Sequence, residues 1–128
     1  MAPKVLIIDD DVDLVAAMRV TLEADGFVVA DAQDGRRGLQ MLREEKPDVV
    51  ILDVMMDEID EGLQVAYQIR SDPATRDLPI LMLTSVTQQT GLLMDPKRDE
   101  GFLPVNEFIE KPVSPRALLD LVRKHVGK

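Results

Sequence analysis

Apolar residues fall into short unbroken runs separated by stretches with a four-residue apolar rhythm, and the two patterns alternate along the chain. The runs are Val5-Leu6-Ile7-Ile8, Phe27-Val28-Val29-Ala30, Val49-Val50-Ile51-Leu52 and Pro79-Ile80-Leu81-Met82-Leu83. Such runs, rich in β-branched residues and lacking polar alternation, suit strands buried on both faces of a parallel sheet. Between the first two, Leu14, Val15, Met18 and Leu22 trace one helical face that stops near Asp25-Gly26. Leu39 and Leu42 mark a shorter helix between Asp34-Gly35 and Lys46-Pro47, and Val65, Ala66 and Ile69 mark a third that closes at Ser71-Asp72-Pro73. Val105 to Glu110 carries Asn106, Glu107 and Glu110, as an edge strand would. Ser114-Pro115 then reads as N-cap and first residue of a last helix with Leu118, Leu121, Val122 and Val126 on its apolar face. From Val86 to Pro104 the pattern blurs, and Gly91, Pro96, Gly101 and Pro104 leave room for a short helix only.

Five strand-helix alternations predict an α/β fold, a doubly wound parallel sheet with right-handed crossovers. The flavodoxin-like order 2-1-3-4-5 puts strands one and three side by side at the topological switch point, where such folds keep their ligand. One domain over residues 1–128 is the expectation at this length. Its strands deliver polar groups at their ends: Asp9, Asp10 and Asp11 after the first, Asp53 after the third, Thr84 after the fourth and Lys111 after the fifth. These ends share one rim.

Composition narrows the chemistry at that rim. The chain has no Cys and one His, His125, in the last predicted helix, where it reads as a surface residue. Disulfides, thiolate metal sites and thiol nucleophiles are therefore excluded, and a reducing cytoplasm is the natural setting. A formal net charge of −9 disfavours direct binding to nucleic acid or anionic lipid. The apolar run after Met1-Ala2-Pro3-Lys4 is too short for a membrane span or signal peptide. Three crowded carboxylates repel one another unless a cation sits among them, and oxygen-only ligands select Mg²⁺ or a similar hard ion. A carboxylate nucleophile, a hard cation, a lysine and a hydroxyl are together the parts for phosphoryl transfer.

With these residues in place the chain resembles the receiver domain of two-component response regulators, in a stand-alone form with no effector domain. The acid pair Asp9-Asp10 after Val-Leu-Ile-Ile, Asp53 after Val-Val-Ile-Leu, Thr84 in Leu-Thr-Ser, and Lys111-Pro112 match the family pattern in order and place. The resemblance implies that Asp53 accepts a phosphoryl group from a phosphohistidine on a histidine kinase or phosphotransfer protein. It implies that Asp10, Asp53 and the Met55 backbone carbonyl bind Mg²⁺ directly, with Asp9 assisting through water. Thr84 and Lys111 would contact the phosphoryl oxygens, and Phe108 would turn inward as Thr84 moves. The modified protein would then act on a downstream target protein, catalysing nothing beyond its own phosphorylation and dephosphorylation. Two departures stand out. Asp57 holds the place where the family usually has Pro, Gly62 falls one residue late, and the interval from Thr84 to Lys111 is longer than usual.

Taken singly, these residues have plainer readings. The first acid cluster suits a helix N-terminus, Asp53 could cap a turn, Lys111 could be a solvated charge and Phe108 could be packing. Two rival functions also remain. Asp9-Asp10-Asp11 satisfies the Asp-x-Asp of haloacid dehalogenase-like phosphatases, but Asp13 stands where that family has Thr or Val, and its late acidic pair is missing after Lys111. A receiver-like docking module that is never phosphorylated is the other, supported by the acidic stretch from Asp57 to Glu61.

Overall fold

The computed structural model describes residues 2–53, 61–84 and 105–126. Strands β1 (Lys4–Ile8), β2 (Val28–Ala32), β3 (Val49–Asp53), β4 (Ile80–Thr84) and β5 (Glu107–Glu110) are joined there by helices α1 (Val12–Ala24), α2 (Gly35–Glu45), α3 (Glu61–Ser71) and α4 (Pro115–Val126). All strand pairs are parallel, in the order β2-β1-β3-β4-β5. This is the doubly wound flavodoxin-like arrangement that the alternation predicts.

The unbroken apolar runs are explained by the two faces of the sheet. Val5, Ile7, Val49, Ile51, Leu81, Leu83 and Ile109 point to one side and pack with Val15, Met18 and Leu22 of α1 and Leu118 and Val122 of α4. Their neighbours Leu6, Ile8, Val50, Leu52, Ile80 and Met82 point to the other, under Leu42 of α2 and Val65, Ala66 and Ile69 of α3. Burying each such side chain contributes about 1.5–3 kcal/mol, so neither face tolerates a charge in the interior of the central strands β1, β3 and β4. Charges appear where the strands end.

Register carries those ends to one place. Ile8 of β1 lies opposite Ala32 of β2 and Leu52 of β3, so Asp9 and Asp53 follow at the same level. Asp53 pairs with Leu83 and Thr84 with Glu110, which brings the last residues of β3, β4 and β5 to the same edge. Helix starts are capped as the sequence suggests: the Asp11 carboxylate accepts from the Leu14 amide at 3.1 Å, and Asp34 accepts from the Arg37 amide at 2.8 Å. Gly26 (φ 91°) and Lys46 (φ 49°) take left-handed conformations where α1 and α2 stop. Arg123 of α4 grips the Asp25 carboxylate through two nitrogens, at 2.6 and 3.0 Å, and ties the last helix to the end of the first.

Three expectations are corrected. β2 begins at Val28 rather than Phe27, because the Phe27 amide still bonds the Leu22 carbonyl at the close of α1 and its ring enters the core. Asn106 precedes β5 instead of belonging to it: its side-chain oxygen accepts from the Ile80 amide at 2.8 Å and from Arg70 at 2.9 Å, clamping α3 and the starts of β4 and β5 together. His125 is on the surface only in part. Its side chain is 15% exposed and sits 3.1 Å from a Glu107 oxygen that Lys124 also contacts at 2.8 Å. The short helix expected between Val86 and Pro104 lies outside the described residues.

α2 approaches β1 closely because Gly38 has no side chain; a Cβ there would overlap the buried Ile8 side chain. Ile8 is fully buried, and its γ carbons as well as its terminal methyl would have to shift. Gly38→Ala should therefore destabilise the fold by about 1–3 kcal/mol despite the better helix propensity of Ala. Urea denaturation reads this directly, and an unchanged or raised midpoint would mean that α2 can lift away from the sheet.

Candidate functional site

Asp9 and Asp53 are buried although both are acidic, with 0% and 3% of their surface exposed. Backbone geometry forces this. The Asp9 amide donates to the Ala32 carbonyl at 3.0 Å, extending the ladder one residue past β1 and holding Asp9 beside the sheet edge. Asp53 is the last residue of β3, on the same side as Val49 and Ile51. Asp10, one residue on, is exposed. One oxygen from each of Asp9, Asp10 and Asp53 lies within 4.8 Å of the other two, so the three form a single cluster.

Lys111 reaches this cluster from the end of β5. Its amide donates to the Thr84 carbonyl at 2.7 Å, which fixes its backbone next to β4, and its Nζ stands 3.4 Å from Asp53 Oδ2. The Lys111-Pro112 peptide bond is cis. Thr84 is buried at the end of β4. Phe108 lies in β5 opposite Met82, half-buried against the α2–α3 side of the core, two residues before the Thr84-Glu110 pair. The structure thus brings Asp9, Asp10, Asp53, Thr84 and Lys111 to one rim, with Phe108 behind Thr84. Met55 lies outside the described residues.

The acid run after β1 divides its work. The Asp11 amide donates to Asp9 Oδ1 at 2.9 Å, while the Asp11 carboxylate turns away to cap α1. Asp11 is therefore a positioning residue for Asp9. The local signal was available: Asp immediately before an apolar-periodic segment is an N-cap pattern. Glu61 has a similar second role. It opens α3, where its Oε2 accepts from the Gly35 amide at 2.8 Å and bridges the starts of α2 and α3. Gly62 is a buried helical residue beside it.

Asp9 Oδ2 is buried and receives no hydrogen bond from any described residue. A buried oxygen without a donor, facing two other carboxylates, matches a place for a hard cation. Burial pushes the Asp9 carboxyl up to about 7; the Asp11 amide opposes the shift, Asp53 adds to it and Lys111 again opposes it. The donor set is oxygen only, so it fits Mg²⁺ and offers nothing to a thiophilic metal.

These groups make stability depend on pH in a defined direction. Without metal, folded Asp9 holds its proton to about pH 7, whereas an unfolded Asp releases it near pH 4. Between these values the folded state binds more protons, so metal-free stability falls as pH rises through that window. Asp9→Asn, which keeps an acceptor for the Asp11 amide, should flatten this decline in urea titrations. By the same linkage Mg²⁺ should bind more tightly as pH rises toward 8, since binding displaces the proton. An Asp9→Asn profile matching that of the wild type would refute the assignment.

Comparison with known proteins places this geometry in a wider set. Residues 5–123 match the family described as "Response regulator receiver domain". Among curated proteins, the alkaline phosphatase synthesis transcriptional regulatory protein PhoP of Bacillus subtilis is 34% identical over 116 residues, covering 91% of this chain and 45% of PhoP. The response regulator MprA of Mycolicibacterium vanbaalenii is 37% identical over 126 residues, covering 96% of this chain and 50% of MprA. The chain spans about half the length of these curated relatives. Among solved structures, a putative response regulator from Chloroflexus aurantiacus superposes with a TM-score of 0.85 at 29% identity, covering 100% of both chains. The chemotaxis response regulator CheY4 of Vibrio cholerae gives 0.80 at 28% identity, covering 98% of this chain and 99% of that one. With the family match running through nearly the whole chain and the acidic rim built as described, the protein belongs to the receiver domain family of two-component response regulators.

Proposed function

We propose that Asp53 is the phosphoacceptor, and that a phosphohistidine on a sensor histidine kinase or phosphotransfer protein is the donor. The convergence of Lys111 Nζ on the Asp53 carboxylate, within the Asp9-Asp10-Asp53 cluster, carries this reading. An Asp53 oxygen forms the new P–O bond as the P–N bond to the donor imidazole breaks. The bonding electron pair leaves with the imidazole nitrogen, which is then protonated. Asp9, Asp10 and Asp53 would hold Mg²⁺, which when bound supplies positive charge to the cluster and to the incoming phosphoryl oxygens. Lys111 contributes a second positive charge at Asp53, and the Thr84 hydroxyl, one strand over, would bond a phosphoryl oxygen. Movement of Thr84 toward that oxygen would open space for Phe108, biasing the protein between two conformations that different partner proteins recognise. Hydrolysis of the acyl phosphate by water at the same site returns Asp53 and inorganic phosphate.

Donor docking is supported by α1. Val12 and Val20 are 56% and 69% exposed, and exposed Ala16 lies between them on the same helical face. This apolar stripe starts directly beside the acidic rim. No described helix is long and apolar enough to cross a membrane, and the net charge of −9 disfavours nucleic acid as a direct partner. A cytoplasmic switch acting through protein partners accords with both.

Incubation with a small-molecule phosphodonor and Mg²⁺ should add one phosphoryl group by intact mass, and Asp53→Asn or a chelator should abolish the gain. No gain in a folded, Mg²⁺-binding protein would favour the unphosphorylated docking module instead. For transfer from a phosphohistidine protein, Val20→Glu should lower kcat/KM by about tenfold or more. Its rate with the small-molecule donor should stay unchanged; equal losses with both donors would remove α1 from the docking surface.

A further inference from the structure

The outer face of α2 and α3 holds a trough that the phosphoryl chemistry does not use. A cavity of about 550 Å³ opens at its upper end, between Gly35 and Gln68, and another of about 440 Å³ at its lower end, between Leu42 and Leu78. A small cavity of about 60 Å³ joins them, sharing Leu39 and Gln68 with the first and Asp72 and Thr75 with the second. Arg43 lines all three, so they form one continuous channel along the helix pair with Arg43 at its centre. Half-buried Leu39 and Leu78 lie along it, over Leu42 and Val65 of the core.

The charge in this trough runs against that of the molecule. Arg36, Arg43 and Lys46 line it, all exposed, and none forms an ion pair with a described carboxylate. Glu61 and Asp72 also line the trough, so its described charges are three cations and two carboxylates, each carboxylate held by a backbone amide. Glu45 binds Lys4, Glu44 is held by Gln40, Glu61 Oε2 accepts from the Gly35 amide, and Asp72 Oδ1 accepts from the Ala74 amide. In a chain of net charge −9, three cations without an ion pair among the described residues, against two lining carboxylates, give this channel a net positive balance. Arg36 and Arg43 stand two turns apart on α2, about 10 Å along its axis.

We propose that the α2–α3 trough is a docking site for an acidic amphipathic helix of a partner protein. Leucine-type side chains of the partner fill the apolar floor, and carboxylates two turns apart on it pair with Arg36 and Arg43. A polyanion such as nucleic acid or an anionic membrane matches less well, because it cannot use the apolar floor and meets long-range repulsion from the rest of the chain. The site is separate from Asp53, and the proposal stands or falls independently of the phosphorylation reading.

The test is fluorescence anisotropy of full-length chain against a panel of dye-labelled synthetic amphipathic helices, bearing glutamates two turns apart with leucines between. Scrambled versions of each serve as sequence controls. The wild type should bind members of the panel in preference to their scrambled forms, and more weakly as salt rises. The double variant Arg36→Glu/Arg43→Glu should lose affinity by about tenfold or more. Arg116→Glu on α4, at an exposed residue away from the trough, should bind within about twofold of wild type. Circular dichroism confirms that each variant is folded, and amide shift changes should be confined to α2 and α3. The proposal is overturned if no helix of the panel binds, or if scrambled sequences bind equally. Equal loss in Arg116→Glu, or tighter binding of anionic vesicles or oligonucleotides than of the helices, overturns it as well.

Discussion

Burial of β1 and β3 on both faces is the constraint on which the rest of the structure depends. Two core layers close over the sheet, and residues Val5 to Ile8 and Val49 to Leu52 have no exposed surface. An ionised group within these strands would lack both water and partners, so the polar residues are pushed to the carboxyl ends. Parallel pairing in register then brings the ends of adjacent strands to one level. The acidic cluster follows from that topology.

Crowding Asp9, Asp10 and Asp53 is costly, and the protein offsets the cost only in part. The Asp11 amide satisfies one Asp9 oxygen and Lys111 stands by Asp53, yet the second Asp9 oxygen has no donor among the described residues. Burial, with Asp53 adding to it, raises the Asp9 pKa, and a cation bound among the three carboxylates would oppose that rise. Metal affinity, proton release and stability are therefore linked through one buried carboxyl.

The opposite behaviour appears on the α2–α3 face. There Glu61 and Asp72 are held by backbone amides, Glu45 by Lys4 and Glu44 by Gln40, and Arg36, Arg43 and Lys46 have no ion pair among the described residues. One rim concentrates negative charge for a cation, while the trough between two helices concentrates positive charge over apolar side chains. Both are departures from the average surface of an acidic protein.

The strand-helix alternation, the parallel sheet and its order were legible in the sequence, because two-sided burial leaves an unbroken apolar run and one-sided helix burial leaves a four-residue rhythm. Asp9, Asp10, Asp53, Thr84 and Lys111 could be read for the same reason: a polar residue directly after such a run has only the rim to occupy. What the sequence could not convey is direction and partnership between residues far apart in the chain. Asp10 and Asp11 are chemically identical neighbours, and only the turn after β1 sends one toward Asp53 and the other to the α1 amides. His125 looked like a surface residue until β5 set Glu107 beside it, and Asn106 looked like strand until Ile80 and Arg70 claimed its side chain. The α2–α3 trough likewise exists only after packing, since its lining comes from two helices far apart in the chain and a distant group, Lys4, takes up Glu45 beside it. Local pattern determined the elements and their polar ends; which groups remain unpaired was decided by tertiary contact, because pairing is a property of positions in space and not of spacing along the chain.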